Sequence, residues 1–286
     1  MSARLVETPF TEKLATRLRS APNAECQLYW LGQAGFVIDG VGRRIAIDPY
    51  LSNTLAAKYA GSAYSHARMT PPPVDSRELG AVDFVLCTHH HTDHMDPGTL
   101  LPLVRRLPNV RFVVPAASLA LARERTGAAD SQLIGLDAGD SLELCQGVSV
   151  RATRAAHETI ERDERGRCRY LGYVIDCGGA KIFHAGDCVP FEGFIDEILA
   201  LRPDVALMPV NGRSEDLRQA GFAGNFTLDE SLTLCGACGI PNLICHHYGM
   251  FAFNTVDPAV IDAAASKAPL AAVRARSQVA YSLLLG

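Results

Sequence analysis

The run Thr88-His89-His90-His91-Thr92-Asp93-His94 constrains this chain more than any other stretch. Three imidazoles and a carboxylate at H-x-H-x-D-H spacing are a ligand set for transition metal ions, and a fold that uses them must bring further donors to the same place. The residues just upstream, 82–87, form a short apolar run of the kind that makes a buried strand. Downstream, Asp96 and Pro97 have the form of a helix N-cap followed by proline at the first helical position, leading into the largely apolar residues 99–104. The cluster therefore belongs on a strand-to-helix turn. Neutral imidazole with a carboxylate suits zinc, iron or manganese.

Around this turn the chain alternates short β-rich runs with turns and helical segments. Runs at 26–31, 35–39 and 44–48 precede it, with Gly40-Val41-Gly42 as a hairpin signal, while Pro71-Pro72-Pro73 marks a loop. Helical patterns at 100–107 and 117–125 flank a strand at 112–114. The middle returns to sheet at 148–152 and in a hairpin, 170–176 and 181–184, around Gly178-Gly179. Then helices at 191–201 and 227–238 alternate with strands at 204–208 and 242–245. Two such blocks, each strand-rich and then interleaved with helices, predict an α/β fold with two sheets face to face and helices outside, a four-layer αββα sandwich in one domain over 1–286.

Composition narrows the function. With 286 residues and 48% hydrophobic content the chain can bury a large core, and its net charge of −4 without a basic stripe argues against nucleic acid as a partner. No apolar run approaches the ~20 residues of a membrane span, and the first residues lack the apolar segment of a signal peptide, so the expected setting is cytoplasmic, with a small-molecule substrate and no membrane. Self-association is left open. The nine cysteines are odd in number and several lie in apolar runs, as free thiols do. Cys235-x-x-Cys238 lacks the second pair a zinc site needs and reads as structural.

Three later residues can complete the metal site. His157 follows the run 148–153, Asp187 follows 181–184 through Ala185-Gly186, and His247 follows 242–245. Each stands just past a strand end, where α/β scaffolds build their sites. Gly186 permits the close backbone approach that a short bridging carboxylate needs. His90 and His246, adjacent to ligands on extended backbone, point the other way and read as packing or supporting residues.

Taken in order, these motifs resemble the metallo-β-lactamase superfamily of metallohydrolases. Within it the chain is most similar to the L-ascorbate-6-phosphate lactonase group, through Trp30-Leu31-Gly32-Gln33-Ala34-Gly35-Phe36, Asp48-Pro49-Tyr50-Leu51-Ser52, Ala156-His157-Glu158, His184-Ala185-Gly186-Asp187, Met208-Pro209-Val210-Asn211-Gly212-Arg213 and His247-Tyr248-Gly249-Met250-Phe251. Cys188 departs from the usual threonine after Gly-Asp, and Cys245-His246 from the usual proline and methionine. The resemblance implies two divalent ions: His89, His91 and His157 on one, Asp93, His94 and His247 on the other, and Asp187 bridging. Such ions sit ~3.5–4 Å apart and generate a hydroxide nucleophile at neutral pH. Asp93 would orient it or relay its proton, which with Asp187 makes the expected catalytic pair.

Supporting roles follow from the same resemblance. Asp48 either braces the ligand loops or is a plain turn residue ahead of proline. His184 either hydrogen-bonds a ligand or fills the sheet. Asn211 and Arg213, with Arg218 behind them, are the candidate grip for a substrate phosphate, against the ordinary reading of solvated loop residues. The implied activity is a metal-dependent lactonase that opens a sugar-acid lactone, phosphorylated or not, such as L-ascorbate 6-phosphate. The alternatives are a metal-dependent phosphodiesterase and a non-catalytic metal-loaded binding protein.

Overall fold

The computed structural model describes residues 3–286. The first part of the chain runs through β1 (Arg4–Pro9), α1 (Leu14–Leu18), β2 (Gln27–Gly32), β3 (Gly35–Gly40), β4 (Arg43–Ile47), α2 (Thr54–Lys58) and β5 (Phe84–Leu86). Next come α3 (Pro97–Arg106), β6 (Arg111–Pro115), α4 (Leu119–Thr126), β7 (Leu133–Leu136), β8 (Ser141–Cys145), β9 (Val148–Arg154), β10 (Leu171–Cys177) and β11 (Ala180–His184). The remainder is α5 (Phe194–Leu201), β12 (Val205–Pro209), α6 (Glu215–Gln219), α7 (Leu228–Ala237), β13 (Asn242–His246), α8 (Pro258–Ala265), β14 (Ala271–Arg274) and β15 (Val279–Leu284).

The strands form two sheets, ordered β1-β15-β2-β3-β4-β5-β6-β7 and β14-β13-β12-β11-β10-β9-β8. Alternation along each strand sorts side chains between two layers. On β3 and β4, Phe36, Ile38, Ile45 and Ile47 meet Val150, Tyr173, Ile175 and Ile182 of the other sheet. Val37 and Ala46 turn outward onto Leu14 and Leu18 of α1 and Leu100 and Leu103 of α3. The second sheet does the same, with Ala206, Met208 and Leu243 facing Phe194, Ile198 and Cys235 of α5 and α7. These three apolar layers are the αββα sandwich expected from the sequence.

Local chemistry explains the turns that matter. The β3–β4 hairpin closes on Val41 and Gly42, both at positive φ, the two-residue form whose twist matches the strands. Asp96 caps α3 by accepting from the Gly98 amide at 3.0 Å, with Pro97 at the first helical position. Strands the sequence pattern did not mark, β1, β7, β8, β14 and β15, lie at or near the sheet edges, where half-buried residues blur the hydrophobic alternation.

Two features place the site. Strands β4, β5 and β6 are parallel, as are β11, β12 and β13, so their C-terminal ends open at a common edge of the sandwich. At that edge the sheets are joined directly: the Leu171 amide donates to Thr88 O at 3.0 Å, and the Tyr173 hydroxyl donates to Cys87 O at 3.0 Å. Among the described residues, no helix is long and apolar enough to cross a membrane.

Candidate metal centre

Every ligand expected from the sequence follows a strand that ends at this edge. His89, His91, Asp93 and His94 follow β5, His157 follows β9, Asp187 follows β11 and His247 follows β13. They meet in three overlapping groups, His89 with His91 and His157, His89 with His94 and Asp187, and Asp93 with His94 and His247. Asp187 connects them. Its Oδ1 lies 3.2 Å from both His94 Nε2 and His247 Nε2, while its Oδ2 faces His157 Nε2 at 4.0 Å. Asp93 Oδ2 stands 3.7 Å from His94 Nε2 and 3.9 Å from His247 Nε2, and His157 Nε2 lies 3.1 Å from His91 Nδ1.

These spacings fit ions better than they fit a hydrogen-bonded core. Two donors bound tetrahedrally at about 2.1 Å from one ion lie about 3.4 Å apart. Although Asp187 Oδ1 and His94 Nε2 are close, they are not aligned as a hydrogen bond: both atoms, like His89 Nε2, are buried with no partner. Each such orphan costs about 1–3 kcal/mol, which is large against a whole-protein stability of about 5–15 kcal/mol. A cation bound between them removes that cost.

The network behind the ligands fixes which nitrogen faces the site. Asp48 accepts three hydrogen bonds, from the Thr88 amide at 2.8 Å, the Thr88 hydroxyl at 2.6 Å and His94 Nδ1 at 2.7 Å. An ionised carboxylate only accepts, so His94 carries its proton on Nδ1 and offers Nε2. Thr88 has spent its single proton on Asp48, so its oxygen can only accept from His89 Nδ1 at 3.0 Å, which leaves His89 Nε2 free as well. One buried aspartate thus fixes the orientation of two imidazoles, directly at His94 and through Thr88 at His89.

Backbone conformation bears the mark of this crowding. Of the six non-glycine residues at positive φ among the described residues, Gln33, Asp48, Glu158 and His247 are in or next to the cluster, and such conformations persist where surrounding structure holds them. Gly186, at φ 64°, has no room for a side chain: a Cβ there would lie 2.8 Å from Leu171 O.

Electrostatics divide the ligands into two kinds. Burial, reinforced by the neighbouring His94 and His91, holds His89 well below the usual imidazole range, and burial brings His157 down to about 4, so both are neutral donors at pH 7. Burial also opposes charge on His94, but the carboxylates of Asp187, Asp48 and Asp93 outweigh it and raise its pKa well above the ordinary value. Asp187 is the converse: burial favours its neutral form, yet His247 and His94 hold it well below the usual carboxylate range.

Other expected residues are placed differently. His184 does not touch a ligand side chain. Its Nδ1 accepts from the Gly186 amide at 3.0 Å, which leaves Nε2 to donate to Ala34 O at 2.8 Å, so it holds the turn that presents Asp187. Arg213 is turned away from the cluster, paired with both carboxylate oxygens of Glu230 at 2.6 Å, and it does not line the cavity over the ligands. The reason is local: Glu230 closes the capping box of α7 with Thr227, and the guanidinium completes that cap. Asn211 bonds Asn254 and Asn225 and supports the wall from behind, and Arg218 pairs with Glu215 on the surface. Neither Asn211 nor Arg213 lines the cavity over the ligands. His90 lines the cavity outside the ligand groups, and His246 is buried against His184 and Phe36 with neither ring nitrogen bonded.

Gln33 belongs to the site and was not marked as a functional residue by the sequence. It is 2% exposed, its Nε2 donates to Asp93 Oδ2 at 3.0 Å and lies 3.1 Å from His247 Nε2, and its carbonyl accepts from the His247 amide and from Trp30 Nε1, each at 3.0 Å. A polar residue between Gly32 and Ala34 was the available signal. Above the ligands lies a cavity of about 270 Å³.

A family model described as a β-lactamase superfamily domain matches residues 43–248. The chain belongs to the metallo-β-lactamase superfamily. A UPF0173 metal-dependent hydrolase of Caldivirga maquilingensis is 32% identical over 199 residues, which covers 68% of this chain and 75% of that protein. Another, of Myxococcus xanthus, is 28% identical over 241 residues, or 81% of this chain and 74% of its own length. Among solved structures, Igni18, a metallo hydrolase of Ignicoccus hospitalis, superposes with a TM-score of 0.64 at 23% identity over 91% of this chain and 99% of that one. An isothiocyanate hydrolase from Delia radicum gut bacteria superposes at 0.72 with 18% identity, over 89% and 97%. Both structures share the metallo-β-lactamase fold. This superfamily member is a metal-dependent hydrolase.

Proposed function

We propose that this metallo-β-lactamase superfamily member hydrolyses carboxylic esters, internal esters (lactones) first among them, with two divalent ions of zinc, manganese or iron held by His89, His91, Asp93, His94, His157, Asp187 and His247. One observation carries the reading: the two oxygens of Asp187 are divided between nitrogen donors on different loops, as a bridging carboxylate's are. Bound ions would supply Lewis acidity at the carbonyl and a water of lowered pKa.

The chain's own residues do the rest. Asp93, 15% exposed at the cavity floor, is tied by one oxygen to Gln33, and His94, His247 and His91 hold it below the usual carboxylate range against the effect of burial. Its part is to orient the attacking water or to relay its proton. The Thr88–Asp48 network keeps the ligand nitrogens aimed while charge shifts during the reaction. A volume of about 270 Å³ sits at the small end of ligand pockets, which suits a small molecule. With Arg213 committed to Glu230, that residue does not supply a phosphate grip at the cavity.

Metal-loaded protein should be assayed against a panel of lactones, carboxylic esters, thioesters and phosphodiesters, with a chelated sample shown to remain folded by circular dichroism. Turnover of lactones or esters that disappears on chelation and returns with metal is the expected result. Cleavage of phosphodiesters alone would transfer the assignment to that chemistry.

A further inference from the structure

One wall of the cavity is a cluster of rings. Tyr59 and His66 come from the segment after β4, Phe222 from the turn after α6, and Phe251 and Phe253 from the loop after β13. They converge from distant parts of the chain: Tyr59 stacks on His66 with centroids 4.0 Å apart, Phe222 and Phe253 are 5.1 Å apart at 52°, and Tyr59 and Phe222 6.1 Å apart at 55°. The remaining apolar lining is Leu55 and Ala223. Tilted rings at 4.5–7 Å offer edges and faces to a further ring, an attraction beyond simple area burial.

Charge in the cavity is as selective as shape. Lys58 and Arg125 line it, and among the described residues neither has a carboxylate partner; Arg125 donates only to the carbonyls of His90 and Met95. Among the described residues, the only carboxylates lining it are Asp93 and Asp187, both engaged with the ligand histidines. Two divalent ions would leave the cavity strongly positive.

On the hydrolase reading above, we infer that the substrate is an ester or lactone carrying a flat aromatic ring, seated against the Tyr59–Phe222–Phe253 wall, and a negative charge met by Lys58 and Arg125. The wall selects the ring, because an aliphatic group of equal area lacks the edge-to-face contacts. The cations select the charge, because Lys58, exposed at the rim over the Tyr59 ring, and Arg125, bonded only to carbonyls, each keep a donor free for an anion that a neutral analogue cannot supply.

Binding tests this without turnover. Purified metal-loaded protein is titrated by calorimetry with phenylacetate, acetate and phenylacetamide as product-like probes. Phenylacetate should bind at least tenfold more tightly than either of the others. Phe222→Leu, which keeps an apolar side chain, should weaken phenylacetate about tenfold and leave acetate unchanged, and Lys58→Gln should weaken phenylacetate several-fold and leave phenylacetamide unchanged. Equal binding of acetate and phenylacetate would overturn the ring, and equal binding of phenylacetamide would overturn the charge. An unchanged affinity in Lys58→Gln would remove Lys58 from the site. Since no probe is turned over, these outcomes stand apart from any failure of the ester panel.

Discussion

Replacing Asp48 by asparagine tests the relay that aims the ligands. The change is nearly isosteric, and Asn tolerates the positive φ of 44° at this position, so the backbone need not move. What changes is donor and acceptor order. Asp48 now accepts at both oxygens, from the Thr88 amide on Oδ1 and from the Thr88 hydroxyl and His94 on Oδ2. An amide group has one accepting oxygen. If that oxygen keeps the Thr88 amide, the NH₂ group faces His94 Nδ1–H, a donor against a donor. The imidazole escapes by moving its proton to Nε2, the nitrogen that faces Asp187, and so gives up the lone pair a metal needs. Flipping the amide only moves the conflict to the Thr88 amide. Loss of a partner that orients a ligand lowers metal affinity by about 10–100-fold, or about 1.4–2.7 kcal/mol. Competition with a chromogenic chelator, on protein shown to be folded by circular dichroism, measures it. Thr88→Val should cost affinity through His89 as well, and the double variant should lose less than the two singles together because Thr88 and Asp48 share one network. Wild-type affinity in Asp48→Asn would refute the relay.

Four further outcomes follow. Because three carboxylates raise His94 well above its ordinary pKa, the ion-free protein holds a proton where a metal would bind, so metal uptake at pH 7 should release protons, seen by calorimetry in buffers of different ionisation enthalpy. Stability from the raised His94 is full below its unfolded pKa of about 6.5 and is lost as pH rises through the folded value, but His89, His90, His157 and His246 are desolvated and neutral with depressed pKa values, and their contribution is lost as pH falls below about 6.5; with more histidines depressed than raised, the melting temperature of ion-free protein should fall as pH drops from neutral toward about 4. Gln33→Leu removes the donor to Asp93 Oδ2, and kcat should fall about tenfold with metal content unchanged; equal kcat would make Gln33 a packing residue. Asp39→Ala leaves the guanidinium of Arg44 buried without its carboxylate, each side chain being only 1% exposed, and urea denaturation should show a loss of about 3–5 kcal/mol.

Much of this site was legible in the sequence because metal ligands are local words: His89 to His94 lie on one turn, and their spacing survives any packing of the rest. The convergence of His157, Asp187 and His247 on the first cluster was legible because each follows a short apolar run that ends at the same edge of the sandwich. The layered fold followed from the same runs, since a central strand buried on both faces is apolar throughout, as Val205–Pro209 is.

What the sequence could not decide is everything that depends on which side chain reaches another across the fold. Arg213 had the right chemistry for an anion and the right strand, but Glu230 of α7 competes for it at 2.6 Å, and that pairing exists only once α7 packs beside β12. Gln33 touches Asp93 and His247, partners 60 and 214 residues away, which no local pattern encodes. The aromatic wall is assembled from three loops with no common periodicity, because loop side chains answer to the cavity they enclose and not to a helical or strand repeat. Residue type and spacing determined the ligands and the layers; through-space contacts decided which nitrogen each histidine offers and what surrounds the reacting centre.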